Sequence, residues 1–87
     1  MKYQIILKTE ARKELRKLHN PDYGLIIKTL QAISEYPYSG DAKHLVDVPL
    51  WRRRTGNYRV VYSILDEQHI VYIVRIVHRS EKTYRGL

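Results

Sequence analysis

The stretch that most limits what this chain can fold into is residues 50–84, LWRRRTGNYRVVYSILDEQHIVYIVRIVHRSEKTY. Three apolar, β-branched runs are separated within it by two short clusters of turn residues, which is the pattern of a strand meander. Residues 50–54 make the first run, and Thr55, Gly56 and Asn57 a hairpin turn in which glycine supplies a positive φ. Residues 58–64 make the second run, Leu65, Asp66, Glu67 and Gln68 turn the chain again, and residues 70–77 make the third. Simple alternation puts Ile70, Tyr72, Val74 and Ile76 on one face of that third run and Val71, Ile73 and Val77 on the other. A strand that is apolar on both faces belongs in the middle of a sheet, with helices over one side.

The preceding residues supply the helices. Residues 3–7 (YQIIL) form a first short strand. Thr9 offers an N-cap hydroxyl, and Ala11, Leu15 and Leu18 recur at helical spacing, with Arg12, Lys13, Glu14, Arg16 and Lys17 as a solvated, mostly basic face. Asn20 as N-cap and Pro21 in the first turn open a second helix, with Tyr23, Ile27 and Leu30 along its stripe and Ile26 and Ile33 beside it. That helix stops at Tyr36 and Pro37. Residues 37–49 form a connector over the sheet edge, with turn chemistry at Ser39, Gly40 and Asp41. The order β-α-α-β-β-β predicts a single α+β domain over residues 1–87, a small antiparallel sheet packed against a helical hairpin. Whether the first strand joins an edge or lies beside a central strand is left open by the pattern.

Composition narrows the function classes. With 87 residues there is room for one core, and a 44% hydrophobic share is enough to fill it. There is no cysteine, so disulfides and thiolate metal sites are excluded. The four histidines (His19, His44, His69 and His78) lack the spacing of a metal motif, and no Gly-rich phosphate loop or dinucleotide fingerprint occurs. Neither a metal nor another cofactor is expected. The N-terminal apolar run is too short for a signal peptide or a membrane span, so a soluble, cytoplasmic protein is expected. Sixteen Lys and Arg against nine Asp and Glu give a formal charge of +7, which favours a polyanionic partner.

The arginines of the meander sharpen that expectation. Arg52 and Arg54 share a face and Arg53 points away; Arg59 alternates with Val61 and Ser63 in the next strand. Pairing the two strands can bring Arg52, Arg54 and Arg59 onto one open face, with Arg79 just past the third strand, His78 beside it and Tyr84 five residues further on. Guanidinium groups gathered this way fit phosphate oxygens, whereas arginines scattered over a surface would carry no such meaning. Of the eight tyrosines, Tyr58, Tyr62 and Tyr72 hold strand positions suited to packing, and Trp51 likewise reads as core or edge packing. Tyr84, among Glu81, Lys82, Thr83 and Arg85, has little apolar context, and a phenol there suits contact with an unstacked base.

The segments GNYRVVY (residues 56–62) and RIVHRSEKTY (residues 75–84), together with the early helical hairpin, resemble the RelE/ParE toxin superfamily, in particular its RelE branch. The resemblance implies the toxin of a type II toxin–antitoxin pair, an mRNA interferase that enters the ribosomal A site and cleaves mRNA there. It implies a cognate antitoxin as partner, with the toxin as a monomer inside a hetero-oligomeric complex, besides mRNA and the 70S-type ribosome. Carried over by position, it makes Arg59, Arg79 and Tyr84 the catalytic residues and places Arg52 and Arg54 against the RNA; His78, the imidazole beside this ribbon, is expected to contact the RNA as well. Arg52 and Arg54 stand where well-studied members have lysines. An arginine does not give up its proton, so these two can clamp phosphate but not act as the base, a role left to Tyr84 or His78. The superfamily also holds ParE-like poisons of DNA gyrase, and a basic nucleic-acid-binding module without activity would share much of this pattern.

Overall fold

Residues 2–80 are described by the computed structural model. The elements are β1 (Gln4–Leu7), α1 (Thr9–Arg16), α2 (Asp22–Glu35), β2 (Lys43–His44), β3 (Trp51–Thr55), β4 (Tyr58–Leu65), a 3₁₀ turn (Asp66–Gln68) and β5 (Ile70–His78). The sheet order is β1-β5-β4-β3-β2, so the connector contributes a short fifth strand and the meander fills the middle. Pairing is antiparallel except between β1 and β5, which run parallel, with Gln4 opposite Ile70 and Leu7 opposite Ile73. The antiparallel sheet expected from the sequence is present, and the first strand, whose place the pattern left open, joins it as a parallel edge strand. The meander already occupies both sides of β4, so the first strand takes the free side of β5. Backbone hydrogen bonds from Tyr3 N to Ser34 O (2.8 Å) and from Lys8 N to Ile73 O (2.9 Å) fix its two ends.

The helix starts miss their expected capping residues by one position, α1 beginning one residue earlier and α2 one residue later, and both have plainer caps. Lys8, extended, precedes α1 and Pro21 precedes α2, and neither helix has a side-chain cap hydrogen bond. Thr9 is therefore the first helical residue rather than the cap, and Asn20 lies one residue too early. Ala11 and Leu15 of α1 and Ile26, Leu30 and Ile33 of α2 face the sheet and are buried there. Tyr23 is 41% exposed, because the inner line of α2 runs through Ile26, Leu30 and Ile33, which puts Tyr23 outside it.

The last strand departs from simple alternation. The β4–β5 register shifts between Val61 and Tyr62: Val61 lies opposite Arg75 and Tyr62 opposite Ile73, leaving Val74 without a partner in the register. This bulge changes which residues face inward. Val71, Ile73 and Ile76 all join the helix-side core with Val60 and Tyr62, so Ile76 belongs with Ile73 and not with Ile70. Glu14 of α1 secures the bulge. Its Oε2 accepts from Arg75 Nε (2.9 Å) and Nη2 (2.6 Å), and its Oε1 from the Ile76 backbone N–H (2.7 Å). Where β1 ends, the free edge of β5 is therefore closed by a carboxylate. Glu14 is not part of a solvated face.

The connector is pinned from below and from the side. Arg53 is buried on the helix side and donates through Nη2 to Tyr36 O and Ser39 O, both at 2.7 Å. The Tyr62 hydroxyl, with the whole residue buried, donates to Pro37 O (2.8 Å). Tyr3 and Tyr38 both donate to the Asp66 carboxylate, joining the N-terminal strand, the connector and the β4–β5 turn at one residue.

Candidate nucleic-acid interface

Residues directly paired across antiparallel strands share a face. Lys43 pairs with Arg52, Arg52 with Val61, and Val61 with Arg75. In the neighbouring row, Arg54 pairs with Arg59 and Arg59 with Val77. Arg52, Arg54 and Arg59 thus come together on one face, as alternation required, with Arg53 on the other. That face is turned away from the helices, since the residues packed against the helices are Val60, Tyr62, Ile73 and Ile76. Val61 and Val77 lie among the cations and are themselves fully buried. Such an apolar floor lowers the local dielectric and strengthens any pairing with an anion.

Lys43 is a member of this face that the sequence reading missed. Its strand is two residues long, too short for any periodic signal. With Arg52, Arg54, Gly40, Asp41 and Ala42 it lines a groove of about 350 Å³. Gly40 takes a φ of +68 where the connector turns into that groove, a conformation that suits glycine. Among the described residues, the side chains of Lys43, Arg52 and Arg54 have no hydrogen-bond or ion-pair partner, whereas Arg75 is held by Glu14. Three like charges beside a single carboxylate, none of them ion-paired among the described residues, repel one another and are ready to take an anion.

Arg79 lies two residues past Val77, the partner of Arg59. Its backbone N–H donates to Asn57 O (2.7 Å), so the chain beyond β5 stays in step with the β3–β4 turn. That turn is itself tight: Gly56 has a φ of +57, and a β-carbon there would stand 2.8 Å from Leu25 Cδ2. Tyr84 lies outside the described residues. His78 does not join the arginines. It pairs with Tyr58, the two rings meet edge-on at 5.2 Å, and both line a cleft of about 320 Å³ against Lys13 and Glu14 of α1 and Lys17 just after it. One step along a strand reverses the face, so a residue adjacent to Val77 turns toward the helices. His78 Nδ1 accepts from the Ser80 N–H (3.2 Å) and lies 2.7 Å from Ser80 Oγ, a local strand-end arrangement.

Among the described residues there is no cluster of three or more His, Asp or Glu side chains able to hold a metal ion, and no helix long and apolar enough to cross a membrane. The model of the ParE toxin of the type II toxin–antitoxin system parDE matches residues 5–83, and the chain belongs to this RelE/ParE toxin family, with its likeness on the RelE side. An Escherichia coli protein named for its likeness to RelE toxins is 30% identical over 89 residues, covering 100% of this chain and 94% of that one. The toxin–antitoxin complex RelBE2 of Mycobacterium tuberculosis superposes with a TM-score of 0.82 at 29% identity, over 91% of this chain and 100% of the other. The intact E. coli RelBE complex gives 0.76 at 25% identity, over 91% and 99%.

Proposed function

We propose that this toxin is a metal-independent, ribosome-dependent endoribonuclease that cleaves mRNA in the ribosomal A site. The observation that carries the reading is the cross-strand register of Arg52, Arg54 and Arg59 on the open face, with the Arg79 backbone tied to the adjacent turn. In the proposed reaction the 2′-oxygen of one nucleotide forms a bond to the adjacent phosphorus, and the bond from phosphorus to the 5′-oxygen of the next nucleotide breaks. The proton of the 2′-hydroxyl leaves to a base, and the departing 5′-oxygen takes one up. Arg59 and Arg79 stabilise the extra negative charge on phosphorus, a role in which each fixed donor is worth about 3–4 kcal/mol of barrier. Tyr84 stacks on the substrate nucleotide or accepts the proton. Arg52 and Arg54 hold the strand and cannot serve as base. His78, on the far face, has no part in the step. Alignment of the reacting atoms is left to the ribosome, which is why free RNA is a poor substrate in this reading.

The partner is a cognate antitoxin, with the toxin as a monomer inside a hetero-oligomeric complex. Both structures compared above are toxin–antitoxin complexes, which supports that expectation. Cleavage on programmed ribosomes, read at the 5′ ends of the products, tests the activity. Arg79→Ala is expected to slow it by about 10²–10³-fold, and Tyr84→Phe to reduce it as well, with both proteins still folded and EDTA without effect. Unchanged cleavage in both variants would remove the assignment. If the wild-type protein leaves mRNA intact but inhibits DNA gyrase, the ParE-like reading replaces it.

A further inference from the structure

We propose that the groove between β2 and β3 is a second phosphate subsite, in which Lys43 joins Arg52 and Arg54 to hold the RNA backbone one nucleotide away from the bond that is cut. It rests on the ribonuclease reading for the position of that bond, but not for the groove's affinity for single-stranded RNA. Lys43 and Arg52 are direct cross-strand neighbours, so their β-carbons stand about 5 Å apart. Neither they nor Arg54 has a partner among the described residues. From Lys43 on β2 to Arg59 on β4 the cationic face spans two strand spacings, about 10 Å. That is more than the oxygens of a single phosphate bridge, and it follows a backbone past one phosphodiester.

The groove also carries an acid, Asp41, which has no ion pair among the described residues. A carboxylate on the rim of three cations suits a ligand that brings hydrogen-bond donors as well as negative charge. The 2′-hydroxyl and base amines of a ribonucleotide do so; the side chains of an acidic peptide do not.

The test is binding of a labelled single-stranded hexaribonucleotide to the full-length toxin over a salt series, with thermal unfolding as the control on structure. Losing one phosphate contact lowers the slope of log K against log salt by about 0.7, so Lys43→Ala binds about fivefold more weakly near 0.1 M salt. Lys43→Arg keeps the slope. Asp41→Ala, which removes the acceptor for the ribonucleotide's hydroxyl and amine donors, narrows the preference for the hexamer over a poly-glutamate peptide, whereas Lys43→Ala weakens binding of both. A merely structural role for the groove would not separate the variants in this way. The proposal is overturned if Lys43→Ala leaves the slope unchanged, if Asp41→Ala leaves the preference for RNA unchanged, or if a poly-glutamate peptide competes for the wild-type protein as well as RNA does. Should wild-type toxin bind the hexamer with these signatures yet cut nothing on ribosomes, the ribonuclease reading fails and the subsite stands.

Discussion

Adjacent arginines in β3 have opposite duties. Arg53 turns under the sheet, and its guanidinium satisfies two backbone carbonyls of the connector; Arg54 stands exposed on the open face. Removing Arg53 strands Tyr36 O and Ser39 O, so Arg53→Ala is expected to cost about 2–3 kcal/mol. Arg54→Ala is expected to stay within about 0.5 kcal/mol. Urea unfolding of the two variants checks the contrast, which a reading of RRR as one basic patch would miss. At this scale the sequence was largely legible, because period-two alternation alone separates Arg53 from Arg52 and Arg54. It misled at His78, whose nearness to Arg79 in sequence says nothing about face. It was silent at Lys43, which needs a pairing partner before it has a face at all.

The elements followed the sequence in kind and order, and departed from it where long-range contacts decide. Apolar spacing located both helices and the three long strands. The bulge at Val74 was hidden because every residue around it except Arg75 is apolar, so either register satisfies the pattern. Arg75, a charge inside an apolar run, was the available signal, and its explanation lies far away in sequence on α1. Glu14 carries three hydrogen bonds from β5 and is only 19% exposed in its side chain. Glu14→Ala leaves the Ile76 N–H and the Arg75 guanidinium without that acceptor and is expected to destabilise the fold by about 2–3 kcal/mol. Glu10→Ala, which loses an exposed ion pair to Lys13 at 4.0 Å, is expected to change stability by less than about 1 kcal/mol. Denaturant midpoints of the two variants distinguish a carboxylate that closes an edge from one that decorates a surface.

Over the whole molecule, Asp66 is the point at which distant parts of the chain meet. The hydroxyls of Tyr3 and Tyr38 hold its carboxyl below the ordinary 3.8, and the same carboxylate pushes Tyr38 up to about 12 from 10.0. For Asp66 the stabilisation is present above the unfolded value and is lost as pH falls through the lower, folded one. For Tyr38 it is present below 10.0 and is lost as pH rises from there through about 12. Urea midpoints followed across pH should therefore show a plateau with an acid and an alkaline shoulder. Asp66→Asn is expected to remove the contribution of this cluster to both, and Tyr38→Phe its share of the alkaline one. None of this was visible in the sequence, where Asp66 read only as a turn residue.

The parallel pairing of β1 with β5 places the first strand of the described residues beside the last. Until residues 70–73 have emerged, Gln4–Leu7 has no strand to zip against, and the sheet stays unsealed on a nascent chain. A protein proposed to attack translating ribosomes is thereby kept incomplete while its own ribosome is making it.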